Sequence, residues 1–522
     1  MRLRLTLLLG SFVFVAFALP RAASAACINT NTCEGTGALQ SNVDGADNSA
    51  FGYQALGADV HGSRNTAVGS RALQNTKSIG LVDCDQFDCD GGVANTAVGY
   101  SAMAGNVDGS GNTATGFLAL GGNGKFNVAN GVAALRNNGT GTGNTAIGGF
   151  ALLANQGAGF NTATGFDAMA ANTTGGNNTA SGVRALRGFN WDGGDKYRQR
   201  GSFNAAFGMD AMAENDTGGF NTAIGYQSLV GSGEQAGIFQ DALGMSGNFN
   251  TASGAYALHR VSSGSSNTAT GYQALQANTT GLRNTAAGRN ALGGLTTGVR
   301  NIAIGAGAGK NVVSGSDNII LGADNLGAAA ENGVIRIGNG TFQKKAFVAG
   351  VSGVTTGLPS ASAVFIDANG QLGTIKSSLA YKEDIHSLGD VSDRIYALRP
   401  VSFRYKEPFE DGSKPVQYGL IAEDVASVFP ELVVYDAEGK PETVAYHLLA
   451  TLLLNEVQKG RKLAEAQALR IADLEKQAAE LAKLKQEMAQ LAETLARLDR
   501  AARSGHLNSS SPPAIDSRQA GR

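Results

Sequence analysis

The apolar and polar positions of residues 48 to about 330 follow one short pattern that keeps returning. Its most regular form is Asn-Thr-Ala-x-Gly-x-x-Ala-Leu, as in Asn65-Thr66-Ala67-Val68-Gly69 with Ala72-Leu73, and in Asn267-Thr268-Ala269-Thr270-Gly271 with Ala274-Leu275. The opening asparagines stand at 48, 65, 95, 112, 127, 144, 161, 178, 204, 221, 250, 267, 284, 301 and 318, so most copies are 17 residues apart. The gaps after 65, 178 and 221 are longer and the gap after 112 is two residues shorter, which reads as three loop insertions and one trimmed turn in an array of fifteen copies. A 17-residue unit is too short for a helical hairpin, and its glycines would weaken any helix. The pattern predicts one coil of a parallel β-solenoid per copy. Asn-Thr-Ala-x-Gly forms a strand with alternate residues inward, Ala-Leu or Ala-Met adds a second apolar contact, and the Asn-x-Thr-Gly stretches turn the chain. Fifteen rungs at ~4.8 Å give a rod of about 70 Å. Coils this rich in alanine bury little area each, so the array is expected to gain its core by associating with copies of itself.

Composition agrees with this picture and removes other classes. Glycine contributes 73 of 522 residues, without a Gly-X-Y period and with only 9 prolines, which excludes collagen. An apolar share of 43% excludes a disordered chain. With 41 Lys and Arg against 43 Asp and Glu the net charge is −2, so no general attraction to nucleic acid or an anionic membrane is expected.

Beyond residue 330 the pattern changes. Strands are predicted at Val334 to Gly338, Ala346 to Gly350 and Val364 to Gly370, a helical region at Lys382 to Leu398, a strand at Val401 to Tyr405, a short helix at Ile421 to Phe429 and a strand at Leu432 to Tyr435. Residues 445–503 hold no proline and one glycine, Gly460; Leu474, Leu481, Met488 and Leu495 recur every seven residues, with Leu484, Leu491 and Leu498 between them, the seam of a coiled coil. The Ser-Pro-rich tail from Ser504 reads as disordered.

At the other end, Arg2 and Arg4, the apolar run Leu5 to Leu19 and Ala23-Ser24-Ala25 have the layout of a secretory signal peptide. No later stretch is apolar for the ~18 residues of a membrane span. In an oxidising compartment the close pairs Cys27/Cys33 and Cys84/Cys89 read as two local disulfides, in preference to a metal site built with the flanking aspartates. No metal or other cofactor is expected. The second insertion carries Trp191, Tyr197, Arg198 and Arg200, a candidate glycan contact, or else a loop packing its aromatics on the rod.

Two resemblances add to this reading. The repeat unit resembles the head repeats of trimeric bacterial adhesins, a left-handed parallel β-roll, although the period here is longer. The string Ser377-Ser378-Leu379-Ala380-Tyr381-Lys382-Glu383-Asp384-Ile385, then Ala397-Leu398-Arg399-Pro400-Val401-Ser402-Phe403, Tyr418-Gly419-Leu420-Ile421-Ala422-Glu423-Asp424-Val425, Phe429-Pro430-Glu431-Leu432 and Val444-Ala445-Tyr446 closely resembles the intramolecular chaperone of phage tail fibres, tail spikes and endosialidases. That resemblance implies a C-terminal module that trimerises the chain, guides folding of the preceding β-structure and cuts itself off. It implies Ser377 as nucleophile, Lys382 five residues on as its base, and Lys376-Ser377 as the scissile bond. Ser378 and Ala380 stand where the family often has Asp and Arg. A serine hydroxyl needs a base, and a lysine serves only if desolvation lowers its pKa.

The expected organisation is a mainly β protein: signal peptide (1–25), N-terminal cap with a cysteine pair (26–47), 17-residue-repeat β-solenoid (48–330), β-rich neck (331–376), α+β chaperone and autoprocessing domain (377–460), coiled coil (461–503) and disordered tail (504–522). The reading is an exported, secreted or cell-surface homotrimeric fibre, self-cleaving once, with a surface glycan or host receptor as partner. Two alternatives stay open: the same trimer without cleavage, and a glycan-cleaving enzyme using insertion carboxylates such as Asp192, Asp195 and Asp241.

Overall fold

Each Asn-Thr-Ala-x-Gly stretch forms a three-residue strand that pairs in parallel with the same stretch of the next copy, and the chain turns once between them. The computed structural model describes residues 27, 29–77, 91–188, 199–231, 244–367, 369–436 and 438–505. They fall into two compact units, Met1–Val348 and Ala349–Arg522.

The first unit is a solenoid with a single sheet of seventeen parallel strands, β1 (Thr32–Glu34) to β17 (Ile335–Ile337). Register is residue on like residue, as in Thr268 on Thr285 and Ala269 on Ala286. It survives every irregularity of spacing: Thr66 still faces Thr96 and Thr222 faces Thr251 across insertions, and Thr113 faces Val128 across the shortened turn. The sheet holds two strands beyond the fifteen copies. Cys33 takes the alanine slot of β1 and is disulfide-bonded to Cys27, while Val334 opens the last turn in place of asparagine. Cys84 and Cys89 lie outside the described residues.

The interior overturns one expectation, because each turn is filled by its own chain. Ala146, Ala151 and Leu152, and their counterparts along the array, have no exposed surface in one copy. The turn is narrow enough for two alanines and one Leu or Met to close it, and polar columns line the remainder. Asn267 shows how. Its N–H donates to Asn250 Oδ1 (3.1 Å), its Nδ2 to Gly281 O (2.8 Å), and its own Oδ1 accepts from Asn284 N–H (3.0 Å). Only a side chain with both donor and acceptor repeats this bond set in a dry interior, which is why the column is asparagine.

Two backbone features complete the turn. The glycine after each strand is left-handed and touches the next rung: at Gly165 (φ 136°) a Cβ would lie 2.3 Å from Gly182 O. The buried leucine is left-handed too, as at Leu275 (φ 51°), at a cost of about 1–2 kcal/mol. Its N–H donates to Ala291 O of the next turn at 3.0 Å, so hydrogen bonding between turns continues outside the strands and offsets that cost.

In the second unit β18 (Phe365–Ile366) and β19 (Leu372–Gly373), β20 (Val401–Phe403) and β21 (Gln417–Gly419), and β22 (Val433–Tyr435) and β23 (Pro441–Val444) form three antiparallel pairs. Helix α1 (Ala422–Val428) precedes β22, and α2 spans Tyr446–Gly505. Val425, Phe429, Leu432, Val444 and Leu452 form a small core. Residues 346–350 form no strand. Of the helical region expected over 382–398 only Gly389–Ala397 is helical, as a 3-10 segment; a shorter one, Leu379–Tyr381, lies before it, and Asp384 (φ 52°) is left-handed between the two. Beyond its first turns α2 buries nothing: Leu474, Leu481 and Met488 are 47, 55 and 69% exposed. Among the described residues no helix is long and apolar enough to cross a membrane.

Candidate active site

Residues 376–382 form a tight turn that the local sequence dictates. Ser378 has extended backbone and caps the 3-10 segment Leu379–Tyr381, its Oγ accepting from Ala380 N–H at 3.4 Å. Tyr381 N–H and Lys382 N–H donate to Ser378 O and Leu379 O at 3.0 and 3.2 Å. Residues five apart are thereby folded onto each other. Lys382 Nζ donates to Ser377 Oγ at 3.0 Å, and the Lys376 ammonium lies over the Tyr381 ring, 4.5 Å from its centre. Serine is a good N-cap, which suits it to position 378.

A lysine amine beside a serine hydroxyl is a nucleophile–base pair provided water is excluded, because only a neutral amine takes the proton. In one copy both side chains are exposed, as are Leu379, Tyr381 and Ile385 around them. Elsewhere in the same unit, Ile395, Leu398, Val401, Tyr418, Tyr446 and Leu453 line an open apolar groove of about 620 Å³. Tyr446 Oη accepts there from Leu420 N–H at 2.9 Å.

A second polar cluster escaped sequence reasoning. Buried Ser392 donates its hydroxyl to Glu456, Asn455 Nδ2 donates to Ser392 Oγ (2.6 Å) and to Gly389 O (3.0 Å), and Lys459 bonds Glu456 (2.9 Å) and Asp393. Hydrogen bonds from Ser392 and then Lys459 hold the Glu456 carboxyl down at about 2, and bonds to Asp393 and Glu456 push the Lys459 ammonium up. The cluster clamps the segment Gly389–Ala397 to α2. The partners are more than sixty residues apart, and only the Glu456/Lys459 spacing on a helix hinted at it.

Of the glycan candidates, Trp191, Tyr197 and Arg198 lie outside the described residues, as do Asp192, Asp195 and Asp241. Arg200 is turned to the solenoid, its guanidinium bonding Asp216 at 3.0–3.2 Å. No group of three or more His, Cys, Asp or Glu side chains that could hold a metal occurs among the described residues.

Residues 377–434 match the family described as chaperone of endosialidase, the match beginning at the serine of the turn. No curated protein and no solved structure matches the chain. The chain therefore joins a parallel β-solenoid to a C-terminal segment of the chaperone-of-endosialidase family, in the manner of a tail-fibre protein.

Proposed function

We propose that this protein is an exported homotrimeric fibre whose C-terminal unit assembles three chains, guides folding of the solenoid, and severs the Lys376–Ser377 bond once. The observation that carries the cleavage is the 3.0 Å contact of Lys382 Nζ with Ser377 Oγ at the first residue of the family match. Lys382, as the neutral amine, takes the Ser377 hydroxyl proton, and Oγ attacks the Lys376 carbonyl carbon. The Ser377 nitrogen leaves with a proton, giving an ester between Lys376 and Ser377 Oγ. Water then hydrolyses the ester, leaving a carboxylate on Lys376 and the hydroxyl restored on Ser377.

Trimerisation is supported by the family and by the bare heptad stripe of α2, which a coiled coil would cover. Joining three chains first raises their local concentration before the contacts between distant residues form. Export is supported by the N-terminal Arg and apolar pattern, which lies outside the described residues. The shaft presents its insertion loops to a surface glycan or receptor.

Purified full-length protein is expected to run as two fragments, the smaller beginning at Ser377, and Ser377→Ala as one intact band. An unmutated protein that is trimeric by light scattering yet stays intact overturns cleavage. That result is favoured by the exposure of Ser377 and Lys382 in one copy, and it would leave the second reading, a trimer that keeps its chaperone.

A further inference from the structure

We infer that the outward face of the solenoid sheet is the surface on which copies of this shaft pack against one another, in register, along its whole length. The inference rests on the trimeric reading above and names the surface it uses. The face is built from the first and third residue of every strand; the second points into the core in β2 to β16, while Arg336 of the end strand β17 is exposed. It reads Thr96 and Val98, Thr113 and Thr115, Thr145 and Ile147, Thr222 and Ile224, Ile302 and Ile304, then Ile335 and Ile337. Of these, Ile147, Ile224 and Ile304 are 42, 47 and 49% exposed in one copy.

Three observations select a second copy as the occupant. Among all seventeen strands the outward positions carry one charge, Glu34 in the end strand, whereas other columns of the shaft are charged and paired between turns, as in Arg184 with Asp210 (2.7 Å) and Arg300 with Asp317 (2.5 Å). In parallel chains held in register around an axis, a column on the inner face meets the same rungs of its neighbours, so any charge would confront its own kind. A face packed on itself must exclude charge from end to end, while a face for a foreign ligand need do so only locally. The columns also run in unbroken register through every insertion, which keeps the face continuous. Finally, seventeen strands at ~4.8 Å and a width of about 10 Å offer roughly 800 Å² per copy, the share of one partner in a standard specific interface.

The test is thiol accessibility in the native full-length protein, with the unmutated chain as background. Ile224→Cys and Ile304→Cys are expected to react with a bulky maleimide at least tenfold more slowly than Thr280→Cys and Thr297→Cys, which are exposed in turns of other coils of the array. Thr stands in the same column at 115, 164 and 270, so Ile224→Thr is expected to keep the trimeric mass, and Ile224→Lys to free the Ile304→Cys thiol for reaction. Equal reactivity of face and turn thiols in a protein of trimeric mass overturns this face and leaves the trimer standing. Equal reactivity in a monomeric protein overturns both, and protection in a monomer overturns a second copy as the occupant.

Discussion

The two units differ in what a single chain can finish by itself. In the solenoid the alanines, leucines and asparagines of each turn are fully buried by their neighbours in the same chain. In the C-terminal unit the leucines of α2 from Leu474 to Leu498 and the Ser377–Lys382 pair stand in water. A region that closes its own core carries no feature that counts copies; a helix with a bare heptad stripe does. On the proposed reading, assembly and processing fall to the smaller unit, and length and surface to the larger.

Substitutions at corresponding depth should separate the two. The largest expected effect is on assembly: Leu481→Asp with Met488→Asp abolishes the trimeric mass in light scattering, while the strand signal in circular dichroism stays. In the solenoid the hardest loss falls on the asparagine column. Asn267→Asp removes the donor to Gly281 O and buries a carboxylate, costing about 4 kcal/mol of stability in chemical denaturation. Gly165→Ala follows at about 3 kcal/mol, because its Cβ meets Gly182 O and its φ is left-handed, and amide exchange should quicken in the turns beside it.

Asp59 gives a change of the opposite sign. It replaces the asparagine found at 155, 172 and 278, its Oδ2 is buried without a donor among the described residues, and burial first of all pushes its carboxyl up to about 6. A carboxyl whose folded pKa is raised is stabilised in its protonated form, so the ionised form weakens the fold. Below the ordinary carboxyl value of 3.8 nothing is lost; stability falls as pH rises from there through about 6 and stays low above it. Asp59→Asn is expected to gain about 2–3 kcal/mol at pH 7.5 and nothing at pH 3.5, read from denaturation at the two pH values. The smallest effect is in α2. Gly460 is exposed with nothing within 4 Å of a Cβ, so Gly460→Ala should gain about 1 kcal/mol in the helix, where the same change at Gly165 loses several times that.

Much of this was legible because repetition makes each residue's partner its own counterpart. The Asn-Thr-Ala-x-Gly word announced the strands, and the spacing of its asparagines announced which residues stack, insertions included. Strand β1 was missed because Cys33 breaks the word, and β17, predicted as a strand over Val334 to Gly338, was assigned to the neck because Val334 stands where the word has asparagine. The left-handed leucines could not be read, since no propensity favours φ near 50° at leucine; the bond to the next turn imposes it. At the site, the five-residue spacing of Ser377 and Lys382 pointed to the pair, but through a helix start, and the contact comes from a 3-10 turn capped by Ser378. The clamp of Ser392 on Glu456 was invisible because it joins residues sixty-four apart.

The sequence alone determined the period, the register and the seam of the C-terminal helix, since each is a spacing between like residues and spacing is what a sequence records directly. Only the tertiary structure decided that each turn closes its own core, leaving one uncharged face outward, and that the serine–lysine pair meets in the open. Both depend on how much space a turn encloses, which is set by backbone angles and neighbouring turns together and by no single stretch of chain.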